Sequence, residues 1–164
     1  MAISYSFELA TPLSAGEVAT NLAAVVQGLR LSDASADADT LLGDGARTLN
    51  GTRIQVIPKS PAPWGDPLIG GRVFSPTVAV IFRLDKMANI AGQQDVVVRL
   101  AVELLLRIPD DAVLHYDFEE IWLTRRDGGL SINERSDLWP QHRLAIISLP
   151  YRRQTQEFDF SEEG

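Results

Sequence analysis

The chain alternates between apolar and polar residues from position 2 to position 10. Ile3, Tyr5, Phe7 and Leu9 fall on one side, and Ala2, Ser4, Ser6 and Glu8 on the other. A period of two describes a strand in a sheet with one wet face. Thr11-Pro12-Leu13 breaks it, and Ser14 with Glu17 forms an S-x-x-E capping box, in which each side chain satisfies a free backbone N–H of the other residue. Val18, Leu22, Val25 and Leu29 then repeat at helical spacing as one apolar stripe, with Gly28 near its end. Residues 32–45, SDASADADTLLGDG, carry four Asp among small residues and read as a loop.

Asn50-Gly51 predicts a two-residue hairpin turn between arms at 46–49 and 52–57. Four Pro and three Gly across 58–72 predict a long surface loop without regular structure. A strand at 73–84 is apolar on both faces at its centre, which places it inside the sheet. A second helix spans 89–108 and stops at Pro109. Its Asp95, Arg99, Glu103 and Arg107 alternate in sign at intervals of four, which predicts a ladder of opposite charges sweeping roughly 120° of the circumference. Nearly all other positions from 96 to 108 are apolar, so this helix must be buried on two sides. Helix one can cover part of it, or a homodimer can form through the side that carries Val98 and Leu106.

Beyond Pro109 the pattern is a meander. Strands at 113–118, 121–126 and 130–133 are separated by Glu119-Glu120 and by Asp127-Gly128-Gly129. Residues 134–143 read as an irregular crossover in which Trp139 closes the core, 144–149 as a short last strand, and the tail from 152 as partly irregular and acidic. The order predicts a single α+β domain over 1–164: a mainly antiparallel sheet with two helices packed on one face.

Composition narrows the function classes. The chain has 22 acidic and 15 basic residues, a net charge of −7. That disfavours a nucleic-acid surface, which concentrates Lys and Arg, and suits a basic protein partner. Zero Cys removes disulfides and thiolate chemistry. No run of ~18 apolar residues and no signal peptide is present, so the expectation is a cytoplasmic protein outside the membrane. His115 and His142 lie far apart in sequence, which predicts no metal site, and no cofactor motif occurs. Gly43-Asp44-Gly45 lacks the third glycine and the helix of a dinucleotide loop. Asp37 and Asp39 lack the remaining ligands of a calcium loop. No nucleophile motif occurs. The residues suited to recognition are Trp64, on the long loop, and the acidic cluster Asp117, Glu119 and Glu120 with Trp122 beside it.

The opening MAISYSFELATPL, the stretch HYDFEEIWLTRRDGGLSI at 115–132 and LPYRR at 149–153 resemble small actinobacterial proteins grouped with the immunity proteins of a myxobacterial contact-dependent, lipoprotein-delivered toxin system. The resemblance implies a cytoplasmic protein that binds and neutralises a toxin domain, and it supplies no catalytic residues. The resulting expectation is a non-enzymatic protein-binding module. The alternatives are a self-associating structural domain, or an enzyme or small-ligand binder with a pocket that no motif announces.

Overall fold

The structure is a computed structural model and describes residues 3–32, 36–60 and 65–160. The elements are β1 (Ile3–Ala10), α1 (Ala15–Gly28), α2 (Ala38–Leu42), β2 (Ala46–Arg47), β3 (Arg53–Pro58), β4 (Leu68–Ile69), β5 (Arg72–Val73), β6 (Val78–Leu84), α3 (Ile90–Arg107), β7 (Asp111–Tyr116), β8 (Glu120–Arg126), β9 (Gly129–Ile132), α4 (Gln141–Leu144), β10 (Arg152–Arg153) and β11 (Phe158–Asp159). Eight strands form one sheet in the order β10-β9-β8-β7-β1-β6-β3-β2. Its neighbours are antiparallel except β10, which runs parallel to β9. Strands β11, β4 and β5 form a second, three-stranded sheet.

The expectation of two helices on one face is overturned, since the described residues hold four. The two extra helices are short. Helix α2 arises inside the acidic 32–45 segment because the Asp37 side chain accepts from the Thr40 N–H at 2.8 Å, an N-cap that satisfies one free donor. This bond holds the Asp37 carboxyl below its ordinary range. Helix α4 is capped at Pro140 and ends at Leu144, and a turn with irregular chain, not the expected strand, follows it at 145–149. Leu41 from α2 and Ile147 just after α4 join the same core as α1 and α3.

The caps of the long helices follow the sequence. Ser14 Oγ accepts from Glu17 N–H, and Glu17 Oε1 accepts from Ser14 N–H, both at 3.1 Å. Asn89 caps α3 by accepting from Gly92 N–H. Helix α3 is buried over the wide arc that its composition requires: Val97, Val98, Leu100, Ala101, Val102, Leu104 and Leu105 are all buried. One chain supplies that cover, through the sheet, α1 and the segment around α4. Val98 has no exposed surface to offer a second subunit, while Leu106 is 51% exposed; the dimer face expected at Val98 and Leu106 is therefore corrected. The charge ladder is also incomplete. Arg99 and Glu103 lie 3.9 Å apart, but Asp95 turns instead to Arg143 at 2.7 Å and His142 at 3.1 Å.

Two buried arginines fasten the helix layer. Arg125 donates to the carbonyls of Leu105, Ile108 and Asp110, closing the C-terminus of α3, where carbonyls lack helical partners. Burial pushes its guanidinium below the usual arginine range, with Asp110 and Asp111 opposing the shift. Arg143 bonds Asp95 and the Leu138 carbonyl and lies over the Trp122 ring, 5.4 Å from its centroid.

The hairpin at Asn50-Gly51 differs in detail from the sequence expectation. Thr48 N–H bonds the Thr52 carbonyl, and Gly51 N–H bonds the Thr48 carbonyl. Only Gly51 has positive φ, at 100°, so the loop has three residues, Leu49 to Gly51, with the glycine in the last place. By contrast, within the expected Asp127-Gly128-Gly129 turn, Asp127 (φ 52°) and Gly128 (φ 83°) form a two-residue loop between β8 and β9, and Gly129 already pairs in β9. The 58–72 segment is not wholly irregular: Gly70 and Gly71, both at positive φ, turn β4 into β5.

The face of β1 expected to be wet is covered at its centre. Ile69, Phe74, Val113 and Ile121 make a second apolar cluster, with Ala10 and Phe158 packed on it. Among the described residues no helix is long and apolar enough to cross a membrane.

Two substitutions test this packing by their shifts in urea unfolding midpoint. Arg125→Met should destabilise by roughly 3 kcal/mol, because buried carbonyls lose a charged donor; an unchanged midpoint contradicts the cap. Gly51→Val should cost about 1 kcal/mol or more, since an added Cβ meets Asp85 Cβ at 3.2 Å in a left-handed position.

Candidate functional site

On β1, the residues opposite the helix-side core are Ser4, Ser6, Glu8 and Ala10. Register places Ser6 beside His115 and Glu8 beside Val113 of β7, so all four share the back face. The small sheet and the tail leave Glu8 only 3% exposed and His115 fully buried. The two are joined: His115 Nε2 lies 3.1 Å from Glu8 Oε1. His115 Nδ1 accepts from the Phe118 N–H at 3.0 Å. Nδ1 therefore carries no proton, and the Nε2–H donates to the Glu8 carboxylate.

The β7–β8 turn is built around this imidazole. Asp117 (φ 51°) and Phe118 (φ 58°) both occupy the left-handed region, a costly conformation for a bulky residue. The N–H bond to Nδ1 holds Phe118 there, as does the contact of its ring with the imidazole at 4.3 Å between centroids. Phe158 meets the imidazole edge at 5.0 Å, and Phe160 lies 6.0 Å from Phe118. Above this cluster is a cavity of about 490 Å³ lined by Glu8, Lys59, Asp66, Pro76, Phe118 and Phe160, among other described residues. Glu8 makes one hydrogen bond, to His115 through Oε1, so Oε2 has no partner among the described residues.

The residues singled out in the sequence are not brought into one place. Asp117 and Glu119 are exposed at the tip of the turn, and Glu120 is half-buried in an ion pair with Arg135. Arg135 also holds Asp137, whose carboxyl it draws below the usual range through a direct hydrogen bond. Trp122 is a correction: it is 2% exposed and packs edge-on against Tyr5 at 5.3 Å and Trp139 at 5.9 Å. A bulge causes this. Leu114 pairs with Leu123 while His115 pairs with Ile121, so Trp122 is the extra residue, and both it and Leu123 enter the helix-side core. Trp139 closes that core, as expected. Trp64 lies outside the described residues.

Sequence reasoning placed His115 on a strand and missed its partner. The one signal was Glu8, a carboxylate in the middle of an alternating apolar strand. Among the described residues no group of three or more His, Cys, Asp or Glu is placed to hold a metal ion. His142 pairs with Asp95 at the surface, and Ser6, the cross-strand neighbour of His115, makes no hydrogen bond to the imidazole, whose two nitrogens are taken by Glu8 and the Phe118 N–H. The arrangement can bind, through a buried carboxylate and aromatic faces; it shows no acyl- or phosphoryl-transfer machinery.

The SitI3-like family model matches residues 3–143, which include β1, the bulged strand and both sides of the Glu8–His115 contact. No curated protein and no solved structure matches the chain.

A double-mutant cycle measures the buried pair. His115→Leu alone strands the Glu8 carboxylate and should cost about 3 kcal/mol. Adding Glu8→Leu should recover part of that loss, because no buried charge then remains. Equal or additive losses in urea unfolding contradict the pairing.

Proposed function

The chain belongs to the SitI3-like family, and on that premise we propose that it is a non-enzymatic immunity-type protein that binds and neutralises a toxin domain in the cytoplasm. The observation that carries this reading is the family match across 3–143. We propose as its setting a contact-dependent, lipoprotein-delivered toxin system of the myxobacterial kind.

The surface chemistry supports a basic partner. The chain carries a net charge of −7, which attracts an oppositely charged partner and speeds its encounter. The β7–β8 turn presents Asp117 and Glu119 to solvent, with neither carboxylate engaged in an ion pair among the described residues. The backbone between them is anchored by the Phe118 N–H bond and ring contact to His115, which lowers the ordering entropy lost on docking. Glu120, partly neutralised by Arg135, stands at the edge of the same patch. Trp64 belongs to the proposed surface on sequence grounds alone.

Co-expression with toxin domains encoded beside the gene tests the reading by growth. The wild type should protect cells from one of them. A triple variant, Asp117→Lys, Glu119→Lys and Glu120→Lys, should fold, as judged by its far-ultraviolet circular dichroism, and lose protection. Failure of the wild type to protect against any of these domains contradicts the immunity reading. Full protection by the triple variant contradicts the acidic turn as the contact face.

A further inference from the structure

The cavity over Glu8 has a chemistry that the immunity reading does not use. Its floor holds a carboxylate whose side chain is 4% exposed. One oxygen is taken by the His115 Nε2–H and the other has no partner among the described residues. The second oxygen keeps access to solvent through the cavity, and a cation entering there completes the pairing of a largely buried charge. Two aromatic rings, Phe118 and Phe160, line the same space, and aromatic faces attract cations through their quadrupole. The remaining charged side chains described in the lining are Asp66 and Lys59, so carboxylates outnumber ammonium groups two to one. Lys59 makes no ion pair with Glu8 and so leaves the carboxylate open. The volume of about 490 Å³ falls within the range of small-ligand sites. It is far larger than a bare metal ion needs, and among the described residues no metal-ligating cluster surrounds it.

We propose that this cavity is a binding site for an organic cation, an alkylammonium or alkylguanidinium group, with the Glu8 carboxylate as its counter-ion and Phe118 and Phe160 as its aromatic walls. His115 is a positioning residue: it orients the carboxylate from behind and, through the Phe118 N–H, sets one wall. Such a group belongs either to a free amine or guanidine or to the Lys or Arg side chain of a protein. The inference stands on the cavity alone and does not depend on the immunity reading.

The test is a titration of the intact chain with butylguanidinium and butylammonium, followed by amide chemical shifts in two-dimensional NMR, with butanol as the neutral control and butyrate as the anionic one. Saturable shifts at Glu8 and Phe118 are expected for the cations in the millimolar range, and none for the controls. Glu8→Gln keeps an acceptor for His115 and should weaken cation binding roughly tenfold or more. Phe160→Ala removes a ring that is 46% exposed and should weaken binding while the fold persists. Lys59→Met removes a repelling charge and should tighten it. A short peptide with a central Arg forms the second arm: binding comparable to butylguanidinium assigns the site to a protein side chain, and binding of the free cations alone assigns it to a small molecule. Absence of saturable cation binding, unchanged binding in Glu8→Gln, or preference for butyrate with loss in Lys59→Met overturns the proposal. The growth assay is independent, so failure of one reading is distinguishable from failure of the other.

Discussion

The hydrogen bond between His115 and Glu8 is the polar contact around which the back of the sheet closes. Strand β1 lies between β7 and β6 and is covered on both faces, by helices on one and by the three-stranded sheet and tail on the other. The carboxylate at position 8 is therefore only 3% exposed, and it meets solvent only through the cavity that it lines. Leaving it unpaired would cost several kcal/mol, a large share of a typical domain's net stability. His115 relieves this only in the tautomer with its proton on Nε2, and the Phe118 N–H selects that tautomer. The left-handed turn at Asp117-Phe118, the stacked rings and the cavity all follow from the same requirement.

Local signals in the sequence carried the parts of the fold that depend on neighbours along the chain. The Ser14–Glu17 box, the alternation of β1, the Asp127-Gly128 turn and the unusual apolar breadth of α3 are each written within a few residues. What escaped depends on partners far away in sequence. A bulge opposite His115 is invisible to a simple period of two, and without it Trp122 belongs beside Glu120 on the surface rather than beside Trp139 in the core. The structural roles of Arg125 and Arg143 depend on carbonyls of Leu105 and Leu138 that are distant from them or turned toward them only in the fold. The small sheet is assembled from strands of two residues, too short to leave any periodicity.

The site was legible in a different proportion. The acidic turn was seen, displaced by two residues, because charge clusters at hairpins are local. Its support was not, because Glu8 and His115 are 107 positions apart. The proposed contact surface and the proposed cation site share one scaffold: Asp117 and Glu119 are exposed on the same turn whose Phe118 lines the cavity.

The most direct test of this account is the tautomer of His115, read from the nitrogen chemical shifts of its imidazole in the uniformly ¹⁵N-labelled protein. A neutral ring with a protonated Nε2 and an unprotonated Nδ1, its Nε2–H protected from exchange, is the predicted result. A ring protonated on Nδ1, or one averaging rapidly between tautomers, would contradict the buried pair and the closure of the back face that rests on it.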